Sequence, residues 1–215
     1  MHAHGHIVPT SVRLRRRGTI HVAVREMRIA VKHQKVVGRL RDALATQKQV
    51  ILLARHDPEF RIDGFVVQLG EKWVLIARTR DGGHFNGHSL VRIRSVLRVY
   101  GGRSFEAVFA RTLPNWPPQP LEHADTVDLD TTKGMLETAV PADTVVGLEF
   151  SHRPGAMNIG RITGIASRRV VLQEVDPAAQ WIAETSTWRI SRIVALTMGD
   201  DYQRALASVA GTPPA

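Results

Sequence analysis

Residues 63–76 read DGFVVQLGEKWVLI, in which two short apolar runs flank the tight turn Gly70-Glu71-Lys72. A similar pattern returns about 96 residues later, as IGRITGIASRRVVLQ at residues 159–173. Each copy is followed by another apolar run, VRIRSVLRV at 91–99 and WRISRIVAL at 188–196. Short apolar runs separated by turn residues are typical of antiparallel strands, so the repeat predicts two small β-barrels in one chain.

The two copies share structural positions but no reactive group. Gly64 matches Gly160 at an offset of 96, and Ile93 matches Ile190 at an offset of 97. No histidine stands in a spacing that also supplies a carboxylate and a nucleophile, and no glycine-rich loop is followed by a helix start and a lysine. A repeated barrel without repeated catalytic residues favours binding over chemistry, so we expect neither an enzyme nor a cofactor.

The bulk composition narrows the class of protein. The chain has 215 residues and no cysteine, which excludes disulfides, thiolate nucleophiles and cysteine-ligated zinc. No apolar run approaches the ~20 residues that a membrane-spanning helix needs. No signal-peptide core follows the N-terminal arginines. We therefore expect a cytoplasmic protein without a membrane partner.

Positive charge is concentrated in the first half of the chain. Residues 1–60 carry 12 Lys/Arg against 4 Asp/Glu, residues 61–120 carry 9 against 4, and residues 121–215 carry 8 against 12. This separation predicts a half that faces nucleic acid and a half that does not. The alternative is compositional, because 24 of the 29 cations are arginine, a bias that a GC-rich genome also produces.

The predicted fold is mostly β with short helices, arranged as two tandem five-stranded barrels, each with an entering helix. The predicted boundaries are a basic unstructured arm at 1–29, a first barrel at 30–111, a linker at 112–134 and a second barrel at 135–211. The linker is acidic and rich in proline, and its Trp116 is expected to fold back onto a barrel. Asp200 and Asp201 are expected to cap a C-terminal helix.

The arm contains two features that can bind. Arg15, Arg16 and Arg17 form a cationic cluster suited to phosphates. His2, His4 and His6 alternate and form either a weak chelator or an unstructured tail, and we expect no metal site. If translation starts at Met27 instead of Met1, the protein lacks both features.

The order of one helix followed by five short strands, with a glycine early in the second strand, resembles an Sm-like barrel. Residues 64–76 and 160–172 are similar to the first Sm motif, and residues 91–99 and 188–196 to the second. Together the matches span most of residues 30–110 and 131–211. Other SH3-like barrels share much of this hydrophobic rhythm, so both interpretations stay open at the level of fold.

The resemblance implies binding of single-stranded RNA at two turns of each barrel. In the first copy these turns place Lys72, Trp73, Arg92 and Arg94; in the second they place Arg168 and Arg169, with Arg189 and Arg192 nearby. The acidic residue and the Met-Asn pair of the family's first turn are missing, and so is the Arg-Gly after the fourth strand. Selective uridine binding is therefore not expected. Trp73 either stacks on a base or points into the barrel.

Two functions fit these sequence features. In the first, the basic first barrel and its arm bind RNA or single-stranded DNA without sequence selectivity. In the second, the edge strands of the barrels pair with a protein partner or with another copy to form a homo-oligomer. A tandem chain can also pair its own two halves. The salt dependence of binding distinguishes these functions, because the affinity for phosphates falls steeply with ionic strength and the affinity of strand pairing does not.

Overall fold

The computed structural model describes residues 15–55, 57–102, 104–122 and 124–213. Residues 15–35 and residues from Val36 onward belong to two different compact units, and all strands of the described ranges lie in the second. In the described ranges the helices are α1 (Arg15–Thr46), α2 (Phe105–Ala110), α3 (Thr132–Ala139) and α4 (Asp201–Ala210). Short 3₁₀ turns lie at Asp81–Gly83, Ile93–Ser95, Ala124–Thr126 and Ile190–Arg192.

Helix α1 begins at Arg15, inside the segment predicted to be an unstructured arm, so that prediction is wrong for residues 15–29. The chain has no proline between Pro9 and Pro58, and arginine, alanine, glutamate and methionine are good helix formers. From Val36 onward the helix has an apolar face. Val36, Leu40 and Ala43 are buried at the four- and three-residue spacing of one helical face.

The ten strands form one antiparallel sheet in the order β5-β1-β2-β3-β4-β10-β6-β7-β8-β9. The first five strands are β1 (Gln49–Ala54), β2 (Arg61–Leu69), β3 (Trp73–Thr79), β4 (Phe85–Arg92) and β5 (Val96–Gly101). The last five are β6 (Val145–Phe150), β7 (Met157–Ile165), β8 (Arg169–Glu174), β9 (Ser186–Arg189) and β10 (Ile193–Met198). In the second half the sequence pattern predicts strands at 145–150, 157–165, 169–175, 181–189 and 193–198. The first three and the last agree closely with β6, β7, β8 and β10, whereas β9 begins later than predicted.

The predicted repeat is present in the backbone. The order 5-1-2-3-4 in the first half returns as 10-6-7-8-9 in the second. A Cβ on Gly64 would lie 2.2 Å from the Ala77 carbonyl oxygen, and one on Gly160 would lie 2.1 Å from that of Gln173. The strand register shifts after Val66 in one copy and after Ile162 in the other. Both glycines therefore allow close approach at a bent strand.

The sequence predicted two separate barrels, but the two halves share one sheet. Strand β4 pairs with β10, with Leu90 opposite Leu196. One core also crosses this junction and contains Trp73, Leu75 and Leu90 together with second-half side chains such as Leu148 and Phe150. The chain thus pairs its own halves, because β4 and β10 offer each other open edges and an apolar face.

The linker and helix ends agree with the predicted local chemistry. The Trp116 ring packs on Phe65, with ring centroids 5.0 Å apart, so its return onto the sheet is confirmed. The Asp200 carboxylate accepts the Gln203 N–H at 2.7 Å at the start of α4, and Gly211 ends that helix with φ of 65°. None of the described helices combines the length and apolar character needed to cross a membrane.

Candidate nucleic-acid interface

In each half, the predicted site turns lie side by side. The Lys72 carbonyl accepts the Ile93 N–H at 2.9 Å, which joins the β2–β3 turn to the 3₁₀ turn after β4. The equivalent bond in the second half runs from the Ile190 N–H to the Arg168 carbonyl at 3.1 Å. The two turns that the resemblance implies for RNA binding are therefore adjacent in both copies.

The turn surface of the first half is covered by the linker. The Leu129 carbonyl accepts the N–H groups of Lys72 at 3.2 Å and Trp73 at 3.0 Å. The Asp130 carboxylate accepts the Glu71 N–H at 2.7 Å. These contacts use backbone donors that a ligand would otherwise meet, so the linker closes this surface.

Trp73 and Arg92, both predicted to contact nucleic acid, are buried, so the structure does not place their side chains on an open surface. The Trp73 ring has no exposed surface and donates its Nε1–H to the Thr132 hydroxyl at 3.3 Å. Arg92 is 5% exposed, and its guanidinium donates to the carbonyls of Ser191 at 2.9 Å and Ile190 at 3.0 Å. Burial, with a smaller effect from the positive charge of Arg94, lowers the pKa of Arg92 to about 10.

Two predicted residues of the first half stay exposed but isolated. Lys72 and Arg94 are at the surface. The Arg94 guanidinium lies 3.3 Å from the Ser191 carbonyl, at the junction of the halves. Because Trp73 and Arg92 between them are buried, Lys72 and Arg94 are separate charges at the surface.

The equivalent surface of the second half is open. It forms a cleft of about 360 Å³ lined by His152, Arg169, Thr187, Trp188, Arg189 and Arg192. The lining contains three arginines and no carboxylate. Arg168 is exposed on the adjoining turn. The cleft therefore combines cations, a hydroxyl and an aromatic ring in the half of the chain with net negative charge.

Strand pairing forces two of these arginines together. Arg169 on β8 lies directly opposite Arg189 on β9, where the first half has Trp73 opposite Arg92. Like charges at directly opposed positions repel, which destabilises the strand pair. In the described ranges neither residue forms an ion pair, and neither does Arg192. An anion in the cleft would relieve this repulsion.

The Trp188 ring is held rigidly at the cleft wall. It stacks on Phe150 with centroids 4.7 Å apart, and the Arg153 guanidinium lies 5.3 Å from its centroid. Its Nε1–H donates to the Ser186 hydroxyl at 2.8 Å, and that hydroxyl donates to the Glu174 carboxylate. These contacts fix the indole before any ligand arrives.

Sequence reasoning missed His152, Arg153 and Trp188 as site residues. The signal was present for Trp188, because it directly precedes an arginine already placed at the second turn. His152 and Arg153 lie in the β6–β7 loop, which the repeat pattern does not connect to the cleft. The side chains of Arg15, Arg16 and Arg17 lie outside the described residues, as does the His2-His4-His6 tract. The described part of the chain contains no cluster of three or more potential metal ligands.

No protein-family model, no curated protein and no solved structure matches this chain.

Proposed function

We propose that this protein binds single-stranded nucleic acid, RNA or DNA, through the cleft of its second half and without sequence selectivity. The observation that carries the proposal is the cross-strand pair Arg169 and Arg189, which stands beside Arg192 with no carboxylate in the lining. The proposal therefore puts the interface in the second half, whereas charge composition favoured the first.

Phosphate is the anion that this cleft suits. Guanidinium groups form forked hydrogen bonds to phosphate oxygens, and three of them line one small concave surface. The Thr187 hydroxyl adds a neutral donor. Phosphate contacts hold a strand in place but carry no sequence information, which agrees with the missing Met-Asn and Arg-Gly motifs.

An unpaired strand also fits the aromatic part of the cleft. Aromatic rings and guanidinium planes give bases a stacking surface, and Trp188 with Arg153 presents both. Double-stranded nucleic acid keeps its bases inside the helix and cannot use such a surface. Single strands are therefore the preferred partner.

We also propose that each half is an Sm-like unit. The support is the repeated order of a helix and five strands, with Gly64 and Gly160 packed against a neighbouring carbonyl at matching places. The family's two RNA-contacting turns correspond to the surface that is covered in the first half and open in the second.

The proposal is tested by fluorescence anisotropy with a labelled single-stranded oligonucleotide over a range of salt concentrations. The variant R169A/R189A/R192A is expected to bind at least about tenfold more weakly, and its plot of log affinity against log salt should flatten by about 2. The matched variant R15A/R16A/R17A removes as many charges from α1. Loss of binding only in this second variant would assign binding to the helix and refute the proposal.

A further inference from the structure

The β1–β2 loop of the first half contacts the equivalent β6–β7 loop of the second half. The contact is a hydrogen bond in which the Asp57 carboxylate accepts the Gly155 N–H at 2.8 Å. The other Asp57 carboxylate oxygen accepts the N–H of Glu59, in its own loop, at 2.9 Å. Asp57 is only 8% exposed. The first half therefore provides a fixed carboxylate acceptor for a loop of the second half.

The β6–β7 loop, residues 151–156, carries two side chains that meet the Trp188 ring. His152 lines the cleft, and its ring centroid lies 6.2 Å from that of Trp188. The Arg153 guanidinium lies over the same indole, 5.3 Å from its centroid. Both residues are exposed. Their place beside Trp188 therefore depends on how the backbone of the loop is held.

Two hydrogen bonds from backbone N–H groups anchor this loop at its ends. At its start, the Ser151 N–H donates to the Arg192 carbonyl at 2.9 Å, a contact within the second half. Near its end, the Gly155 N–H donates to Asp57 of the first half. Gly155 has φ of 71°, a left-handed conformation that favours glycine. The two side chains at the cleft lie between these anchors, so their position depends on both.

We propose that Asp57 is a positioning residue for the cleft of the second half and acts through its hydrogen bond to Gly155. This bond holds the β6–β7 loop in the arrangement that keeps Arg153 over Trp188, where the proposed function places a stacked base. Neither Asp57 nor Gly155 lines the cleft, so both act on a ligand only through the loop. The effect on binding rests on the proposed function, whereas the hold of Asp57 on the loop does not.

The loop affects the aromatic part of the cleft and not its phosphate-binding part. The three arginines of the lining lie on β8, on β9 and on the 3₁₀ turn that follows β9: Arg169, Arg189 and Arg192. None of them belongs to the β6–β7 loop. Loss of the Asp57 bond is therefore expected to weaken the stacking of bases and to leave the salt dependence of binding unchanged. This combination distinguishes a positioning role from a general loss of charge or of fold.

The hold on the loop is tested by hydrogen–deuterium exchange of the full-length protein without nucleic acid. In Asp57→Ala, residues 151–156 should exchange at least about tenfold faster than in the natural protein, since a hydrogen bond to a carboxylate is lost. Asp57→Asn, a milder variant, should change the exchange rate in the same direction, because a neutral amide is a weaker acceptor than a carboxylate. Unchanged exchange of this segment in both variants would overturn the proposal.

Asp200→Ala is the matched control. Asp200 is 9% exposed, and its carboxylate also accepts a backbone N–H, that of Gln203, but at the start of α4. This variant should be less stable without faster exchange at residues 151–156, and it should bind an oligonucleotide as the natural protein does. Equal acceleration of this segment in Asp57→Ala and Asp200→Ala would indicate a general loosening of the fold and overturn the specific role of Asp57.

The effect on binding is measured by fluorescence anisotropy with a labelled single-stranded oligonucleotide and with an abasic strand of the same length. Asp57→Ala should weaken binding of the oligonucleotide about two- to fivefold, with unchanged salt dependence, and should bind the abasic strand as tightly as the natural protein does. When Arg153→Ala is already present, Asp57→Ala should have little further effect, because the side chain that Asp57 positions is gone.

Two results would overturn the positioning role: additive losses from Asp57→Ala and Arg153→Ala, or equal weakening with the abasic strand. If the natural protein binds neither strand, the proposed function fails. The exchange of residues 151–156 still decides whether Asp57 holds the loop.

Discussion

Replacing Arg92 with alanine is expected to destabilise the fold far more than the same change at Arg189. The two residues occupy equivalent positions in the repeat, at the ends of β4 and β9. Arg92 makes three hydrogen bonds across the junction, two to carbonyls and one to the Thr132 hydroxyl at 2.7 Å. Arg189 is exposed and has no ion pair in the described ranges.

The size of the effect follows from these contacts. Hydrogen bonds to a charged group contribute about 1.5–3 kcal/mol each, so three give a gross value of roughly 4–9 kcal/mol. Burial of the guanidinium costs several kcal/mol and offsets part of this gain. We expect Arg92→Ala to lower the free energy of unfolding by about 2–4 kcal/mol. A surface change such as Arg189→Ala should stay within about 0.5 kcal/mol.

The assay is urea unfolding followed by tryptophan fluorescence, at a protein concentration low enough to prevent self-association. The m-value should remain unchanged, which shows that the variants differ in stability and not in compactness. Equal losses at Arg92 and Arg189 would refute the assignment of a closed and an open surface. A negligible loss at Arg92 would refute its role in joining the two halves.

Three further predictions concern stability. Gly64→Ala and Gly160→Ala should each lower the free energy of unfolding by about 2–4 kcal/mol, because the new Cβ overlaps a carbonyl oxygen. Gly38→Ala, whose Cβ meets nothing within 4 Å, should raise it by about 0.5–1 kcal/mol. Equal shifts of the melting temperature in the three variants would contradict this. Burial raises the pKa of Glu149 to about 7, an effect that Arg78 opposes and Asp57 assists. Because the unfolded chain loses this proton at lower pH than the folded protein, the free energy of unfolding should fall by about 2–3 kcal/mol between pH 4.5 and 7. Chemical unfolding at several pH values should show that Glu149→Gln removes this fall, and parallel pH curves for the variant and the natural protein would refute it. Asp200→Asn keeps the cap of α4 but loses the ion pair with Arg78. Its denaturation midpoint should therefore fall less than that of Asp200→Ala, which loses both. The reverse order would be inconsistent with the observed cap.

The strands could be predicted from sequence because their signals are local. The apolar runs of the repeat, and glycines such as Gly64 and Gly160, mark strands and turns within a few residues. The cap at Asp200 and the return of Trp116 follow from similar short-range chemistry. The start of helix α1 is harder to predict, because the residue before Arg15 is a leucine and not an N-cap residue.

The closed state of the first half could not be predicted in the same way. Trp73 and Arg92 are covered by Thr132, which is 59 and 40 residues away along the chain. Charge composition pointed to the first half, but exposure depends on this long-range packing. The second half carries fewer cations, yet β8 and β9 bring Arg169 and Arg189 together. Local patterns carry no information about which of two equivalent surfaces the linker covers.

The central claim, that only the second of two equivalent surfaces is open to a ligand, is tested most directly by hydrogen–deuterium exchange with and without a single-stranded oligonucleotide. Binding at the cleft predicts slower exchange at residues 166–170 and 186–192. Residues 70–74 and 91–95, the same surface in the first half, should exchange at an unchanged rate. Protection of the first-half segments, with none in the second half, would contradict the account.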